Sequence, residues 1–329
     1  MIPKRHIPMY GRYAINASLF VLALAVLGGL KASGILSNSN SKILMLIGIN
    51  CLLAVSLNIA TGYLGQLPLG HAGFMAVGAY ASAIFMRATD GALFPVGLLL
   101  GGLLAAVCSL LIGIPALRLK GDYLAILTLG FGEIIRVVLL NIDGVLGFKL
   151  TYGAASLKNI PKSTTVVNTF LVLGISCFLI HTLMKSRHGR AIFAIRENEI
   201  AAEACGIRVA AYKTLGFVVS AAFAGVAGGL YAGYIGILSP GGFGFMRSIE
   251  ILVMVVLGGM GSMLGSLLSA TALTALPELL QSLSNYRMVV YSLVLILVMI
   301  FKPSGLMGTY DFSLSRLLEG KKKGEQAHE

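Results

Sequence analysis

The chain has 329 residues, of which 57% are hydrophobic and 12% charged, with a formal net charge of +12 and a mean hydropathy of +0.89. A soluble domain carries about 25% charged residues, so the composition excludes one. It also excludes a transmembrane barrel, whose strands would alternate polar and apolar residues. The positive charge points to basic segments kept on the cytoplasmic face of a membrane and to anionic lipid, not to nucleic acid.

A helix of about 20 apolar residues crosses ~30 Å of hydrocarbon. Runs of that kind are expected near 14–30, 43–60, 69–87, 92–115, 122–140, 166–184, 212–236, 246–259, 262–281 and 287–302. The first, behind Lys4, Arg5 and Arg12, has a signal peptide as its alternative reading but is taken as a transmembrane helix, because no small-residue cleavage site is clear and further spans follow. The fold class expected is an all-α polytopic membrane protein, one transmembrane domain over 1–329. Cys51, Cys108, Cys177 and Cys205 form no close pair, so neither a disulfide nor a metal site is expected. Tryptophan is absent, which leaves interfacial anchoring to tyrosine, lysine and arginine.

Charge gives the orientation. The basic N-terminus, the segment 185–213 with its lysines and arginines, and the tail 303–329 with Lys321, Lys322 and Lys323 should all face the cytoplasm. An even number of crossings must then separate Lys213 from Lys302. This splits 246–281 into two passes at Gly258–Gly259–Met260–Gly261, for about ten helices in all. GYLGQLPLGHAGFM (62–75) is echoed by GYIGILSPGGFGFM (233–246), an odd number of crossings apart. Two inverted repeats are therefore expected, a device that places solute paths at broken helices.

In chain order, the first candidate site is the Gly- and Pro-rich segment 62–73. Gly65, Gln66, Gly70, His71 and Gly73 there, with Gly241 and Gly244 in the second copy, are candidate translocation-path residues, because broken backbone at membrane depth offers polar groups to a solute. A tight cytoplasmic turn is the alternative, and a structural hydrogen bond is the alternative role for His71. Glu133 and Arg136, three apart, share a helix face inside a span. They mark either function or a self-neutralising pair near the outer end. Gly225, Gly229, Gly233, Gly261 and Gly265 sit at spacings that let helices approach closely. Charge within the spans is otherwise too sparse for a proton relay, and a passive path with little buried charge is expected. The segment 185–213 carries Arg196, Glu197, Glu199, Ala201, Ala202, Glu203 and Gly206. It should form a short amphipathic helix from about Glu197 to Cys205 closed by Gly206, either a lever for a soluble partner or a connector lying on the bilayer. No phosphate-binding loop, metalloprotease motif or nucleophile elbow occurs. No enzyme activity and no cofactor are expected.

Segments 62–84, 117–141, 186–207 (SRHGRAIFAIRENEIAAEACGI) and 301–308 (FKPSGLMG) resemble the LivM-type permease subunits of branched-chain amino acid ABC importers. The resemblance spans about Ile43 to Gly308. It implies a type II ABC importer-like permease in the bacterial cytoplasmic (inner) membrane that forms half of a path for leucine, isoleucine or valine. Urea, amides or other amino acids are alternative solutes. It implies a LivH-type permease subunit as heterodimer partner, two cytoplasmic ATPase subunits that hydrolyse the ATP, and a periplasmic or lipid-anchored substrate-binding protein. It implies that 185–213 is a coupling loop, because such permeases dock on their ATPases through the pattern E-A-A-x-x-x-G. Ala201, Ala202 and Gly206 fit this pattern; Ile200 stands where the glutamate belongs, with Glu199 and Glu203 beside it. A stand-alone secondary transporter or channel, which would need no partner, is the competing class.

Overall fold

The structure is a computed structural model describing residues 37–117, 119, 121–146, 151–280, 286–302 and 305–308. The expected first span at 14–30, the basic N-terminus, Arg118 and the tail beyond Gly308 lie outside the described residues. What is described is all-helical apart from a single β-bridge between Leu157 and Leu238.

The long helices are α1 (Asn38–Asn58, prolonged by a wider π turn at Ile59–Tyr63), α2 (His71–Ala88), α3 (Phe94–Ala116), α4 (Asp122–Leu146) and α5 (Val166–Lys185). Two short polar helices follow, α6 (Arg187–Glu197) and α7 (Glu199–Ala204). Then come α8 (Val209–Ile235), a 3-10 turn at Pro240–Phe243, α9 (Phe245–Gly258), α10 (Met263–Leu279) and α11 (Arg287–Phe301). Among the described residues six segments are long and apolar enough to cross a membrane: Asn38–Tyr63, Phe94–Ala116, Asp122–Gly144, Val166–Lys185, Val209–Ile235 and Pro240–Gly258. Met263–Leu279 is apolar but shorter. The break expected at Gly258–Gly261 is present. Gly259 (φ +106) and Gly261 (φ +93) adopt left-handed backbone that a side chain would resist, and the chain reverses there from α9 into α10.

The bundle is organised around α1 and α8. Helix α8 packs along α1, α2 and α3, and α1 also touches α5, α9 and α10. Small residues make this possible. A Cβ on Gly78 would collide with the backbone of Gly225, and one on Gly228 with the carbonyl of Met75. Helices α2 and α8 thus lie backbone to backbone, the geometry that small residues permit in membranes. The outer faces are apolar: Leu99, Leu103 and Leu111 of α3 and Ile126 and Ile134 of α4 are exposed, which suits lipid or a partner helix.

Two connections enter the bundle from opposite ends. Segment 64–70 starts with Gly65 against Arg196 of α6 and ends with Gly70 against Thr128, in the second turn of α4. Segment 236–244 starts with Gly236 against Lys162 and ends with Gly244 near Glu133, close to the middle of α4. The amide of Ala72, at the start of α2, donates to Ser248 Oγ of α9 at 3.0 Å, so the two helix starts meet inside the bundle.

Gly78→Val should prevent the close approach of α2 and α8 and destabilise the fold by about 1–3 kcal/mol. Gly130→Ala, whose Cβ meets open space, should not. Thermal unfolding of the two variants in mild detergent reads the difference, and equal melting temperatures would refute the packing role.

Candidate functional site

The polar segment divides differently from the expected single helix at Glu197–Cys205. Asn198 is extended (φ −157, ψ 111) and its side-chain oxygen accepts from Ile200 N (3.0 Å) and Ala201 N (3.1 Å). It ends α6 at Glu197 and caps a new helix, α7. Gly206, with φ +82, closes α7 as expected. Ala202 is buried, at 4% exposure, whereas Ile200 (78%), Ala201, Glu203 and Ala204 point outward. Ala202 therefore seats α7 on its own chain, and Ala201 is the open member of the pair. A second tie is the buried Lys213, whose Nζ donates to Glu199 Oε1 at 2.9 Å. Burying a lysine is costly without such a partner.

Arg196 is turned into the protein rather than outward. Its Cγ lies 3.2 Å from where a Cβ on Gly65 would stand, and its Nη1 lies 2.8 Å from the same point on Gly261. One side chain of α6 thus rests on both glycine breaks, the turn after α1 and the turn between α9 and α10. Asn58 holds these breaks together from within. It is fully buried, accepts from Gly261 N at 2.9 Å and donates to the Ser262 carbonyl at 3.1 Å. The Gly261 amide freed by the break is thereby paired, and the Ser262 carbonyl, which also accepts from Ser266 N at 3.1 Å, gains a second donor.

The candidate path residues fall into two groups. Gly65 and Gln66 sit at the α6 end, while Gly70, His71 and Gly73 are enclosed. His71, a path candidate for which a structural hydrogen bond is the other reading, is 2% exposed, and its Nε2 lies 2.9 Å from Ser56 Oγ. This ring is spent on joining α2 to α1, because nothing at its position reaches solvent. Gly73 is closed by the backbone of Gly132. Gly241 and Gly244 instead line an open recess of about 370 Å³ together with Leu46, Tyr231, Gly242, Met246, Arg247 and Glu250.

Charge gathers round this recess. Arg136 Nε donates to Glu133 Oε2 at 2.6 Å, as the spacing predicts. The pair lies near the middle of α4, not at its outer end, and Glu133 Oε1 also accepts the Phe245 amide at 3.1 Å. The carboxylate therefore stabilises the first turn of α9, where freed amides and the helix dipole favour negative charge. On the same helix Arg247 donates to Glu250 Oε2 (2.7 Å) and to Asn50 Oδ1 (2.6 Å), and Asn50 donates to Thr274 Oγ1 at 2.9 Å. The expectation of little buried charge is corrected here: the Arg247 side chain is only 18% exposed. Sequence reading missed Asn50, Asn58, Arg247 and Glu250. The signal for the last two was present, an ionisable pair three apart inside a span, as at Glu133 and Arg136.

The sequence model of the family described as "Branched-chain amino acid transport system / permease component" matches residues 39–301. The chain belongs to this family. A relative in Escherichia coli K12, "High-affinity branched-chain amino acid transport system permease protein LivM", is 36% identical over 359 residues, 99% of this chain and 83% of its own length. LivH of the same organism is 31% identical over 185 residues, 55% of this chain and 58% of its own. The nucleoside ABC transporter permease protein NupC of Lactococcus lactis is 27% identical over 229 residues, 62% of this chain and 71% of its own. No solved structure matches the chain. The match to this permease family spans α1 to α11 and so includes both glycine breaks and the recess.

Asn58→Leu keeps the branched shape but leaves the buried Gly261 amide without its acceptor, whereas the Ser262 carbonyl keeps its bonds from Ser266. One such unpaired group costs about 1–3 kcal/mol, so the variant should unfold below the wild type in thermal denaturation. An unchanged melting temperature would show that the break is held by something else.

Proposed function

We propose that this chain is a permease subunit of an ATP-driven importer and forms half of the translocation path for leucine, isoleucine and valine. The observation that carries the reading is α7. It is a capped turn of helix at the surface, seated by Ala202 and by the Lys213–Glu199 pair, with Ile200, Ala201 and Glu203 outward. A lever needs a rigid root and an open face, and α7 has both. The branched-chain substrate class follows from the family and from the long match to LivM. The partners are a LivH-type permease subunit, two cytoplasmic ATPases and a periplasmic or lipid-anchored binding protein, assembled in the cytoplasmic (inner) membrane. The chain itself has no hydrolytic role.

The topology in this reading is about ten crossings in two inverted repeats. Two observations support it. Segments 64–70 and 236–244 enter from opposite ends, and each leads to a helix start capped by a glycine, Gly70 and Gly244. The end that carries α6 and α7 is cytoplasmic by the positive-inside rule, since 185–213 is the most basic of the described connections.

Force then has a short route. The ATPases move α7. Helix α6 follows, because only Asn198 separates the two, and Arg196 bears on Gly65 and Gly261. Both turns lead to helices that line or support the recess. Coupling of this kind requires an element with two arrangements, and the two glycine turns have the backbone freedom to supply them.

In the complete complex reconstituted in vesicles, leucine uptake should require ATP, and this chain alone should carry none. Ala201→Trp should abolish uptake and copurification of the ATPases while leaving the melting temperature of the chain unchanged. Ala202→Trp should lower both. ATP-independent uptake by the isolated chain would establish a stand-alone transporter instead.

A further inference from the structure

The recess beneath Gly241–Gly244 has a composition that the family description does not explain. Its walls are Leu46, Tyr231 and Met246, and its polar groups are one arginine, one carboxylate and the backbone of three glycines. Its depth follows from its neighbours. Asn50, which accepts from Arg247, is near the middle of the 26-residue span Asn38–Tyr63. Glu133, which accepts from Phe245, is near the middle of α4. Arg247 and Glu250 therefore sit near the mid-depth of the spans, Arg247 largely buried and Glu250 on the open recess, at a level where ionisable groups are costly and are kept for a reason.

The pair is built to receive rather than to close on itself. The Arg247 side chain is 18% exposed and held on its far side by Asn50, which is fixed in turn by Thr274. Arginine offers a fork of donors suited to a carboxylate, and the bonds to Glu250 and Asn50 leave part of that fork for a ligand. The Glu250 side chain is 56% exposed, and Oε2 alone faces Arg247. Its other oxygen is available to an ammonium group. A cation and an anion three residues apart on one helix face, with apolar walls alongside, complement a molecule that carries a carboxylate and an ammonium on one carbon and a hydrocarbon on the same carbon. A neutral solute such as urea would need neither charge.

We infer that the recess is a binding subsite for the zwitterionic head of an aliphatic amino acid. Arg247 takes the carboxylate, Glu250 takes the ammonium, and Leu46, Tyr231 and Met246 take the side chain. The inference rests on the import reading above and adds the residues that recognise the solute within the membrane. Glu133 and Arg136 do not touch the solute in this account; they hold the first turn of α9, and with it Arg247, in place.

The test uses the complete importer in vesicles, saturated with leucine-loaded binding protein, and records leucine uptake and ATP hydrolysis together. In Glu250→Gln and in Arg247→Met, uptake should fall about tenfold or more, the scale of a lost charged hydrogen bond. Hydrolysis should stay within about twofold, because α7 and the ATPases are untouched. Arg247→Lys, which keeps the charge, should recover part of the uptake. Unchanged uptake in both variants would overturn the subsite. Release of the partner permease subunit from either variant would overturn it too, by showing that the recess is an assembly surface. If the wild-type complex itself lacks ATP-dependent leucine uptake, the import reading fails first, and the two failures are told apart by that control.

Discussion

A helix that stops inside an apolar bundle leaves amides and carbonyls that water cannot reach, and each must find a partner within the protein. This constraint organises the chain. Where α9 gives way to α10, Asn58 accepts from Gly261 and donates to Ser262. Where α9 begins, the Glu133 carboxylate accepts the Phe245 amide. Where α2 begins, Ser248 accepts the amide of Ala72 and Thr128 that of Leu69. Each partner side chain comes from another helix, so every break is also a tie between elements distant in sequence.

The same ties explain why a permease of this kind can move without falling apart. The long helices meet through glycine, with α2 and α8 in backbone contact, and that core is rigid because a close-packed interface has few alternatives. The breaks are different. They consist of a few residues fastened by one or two hydrogen bonds, and two of them, the turns at Gly65 and at Gly259–Gly261 with their left-handed glycines, lie under Arg196 of α6. Under the proposed function, rigid bodies carry the motion and the breaks absorb it. The recess lies beside α9, which begins and ends at such breaks.

The helices were legible because a membrane demands long apolar runs. Nine of the ten expected apolar runs fall on described helices, of which six are in segments long and apolar enough to cross a membrane, and the tenth lies outside the described residues. The break at Gly258–Gly261 was legible from its glycines, with the charge of the flanking segments as the reason to read one long apolar run as two helices. What stayed hidden depends on contacts between distant positions. Nothing local marks Asn58 as the partner of Gly261, some two hundred positions away, or turns Arg196 inward onto Gly65. The burial of Ala202 beside an exposed Ala201 follows from how α7 sits, and no motif states it. The division at Asn198 was readable in principle, since an asparagine before an Glu-Ile-Ala-Ala run is a good helix cap, yet the continuous amphipathic pattern around it concealed the break.

The central claim is that α7 faces the cytoplasm and is covered there by an ATPase. Cys205, directly after α7, is an exposed thiol, whereas Cys51, Cys108 and Cys177 lie within long helices. A membrane-impermeant maleimide applied to sealed vesicles reads the position of Cys205 directly. The account predicts labelling of the chain alone from the cytoplasmic face only, and protection once the ATPases are bound. Labelling from the opposite face, or equal labelling with and without the ATPases, would contradict it.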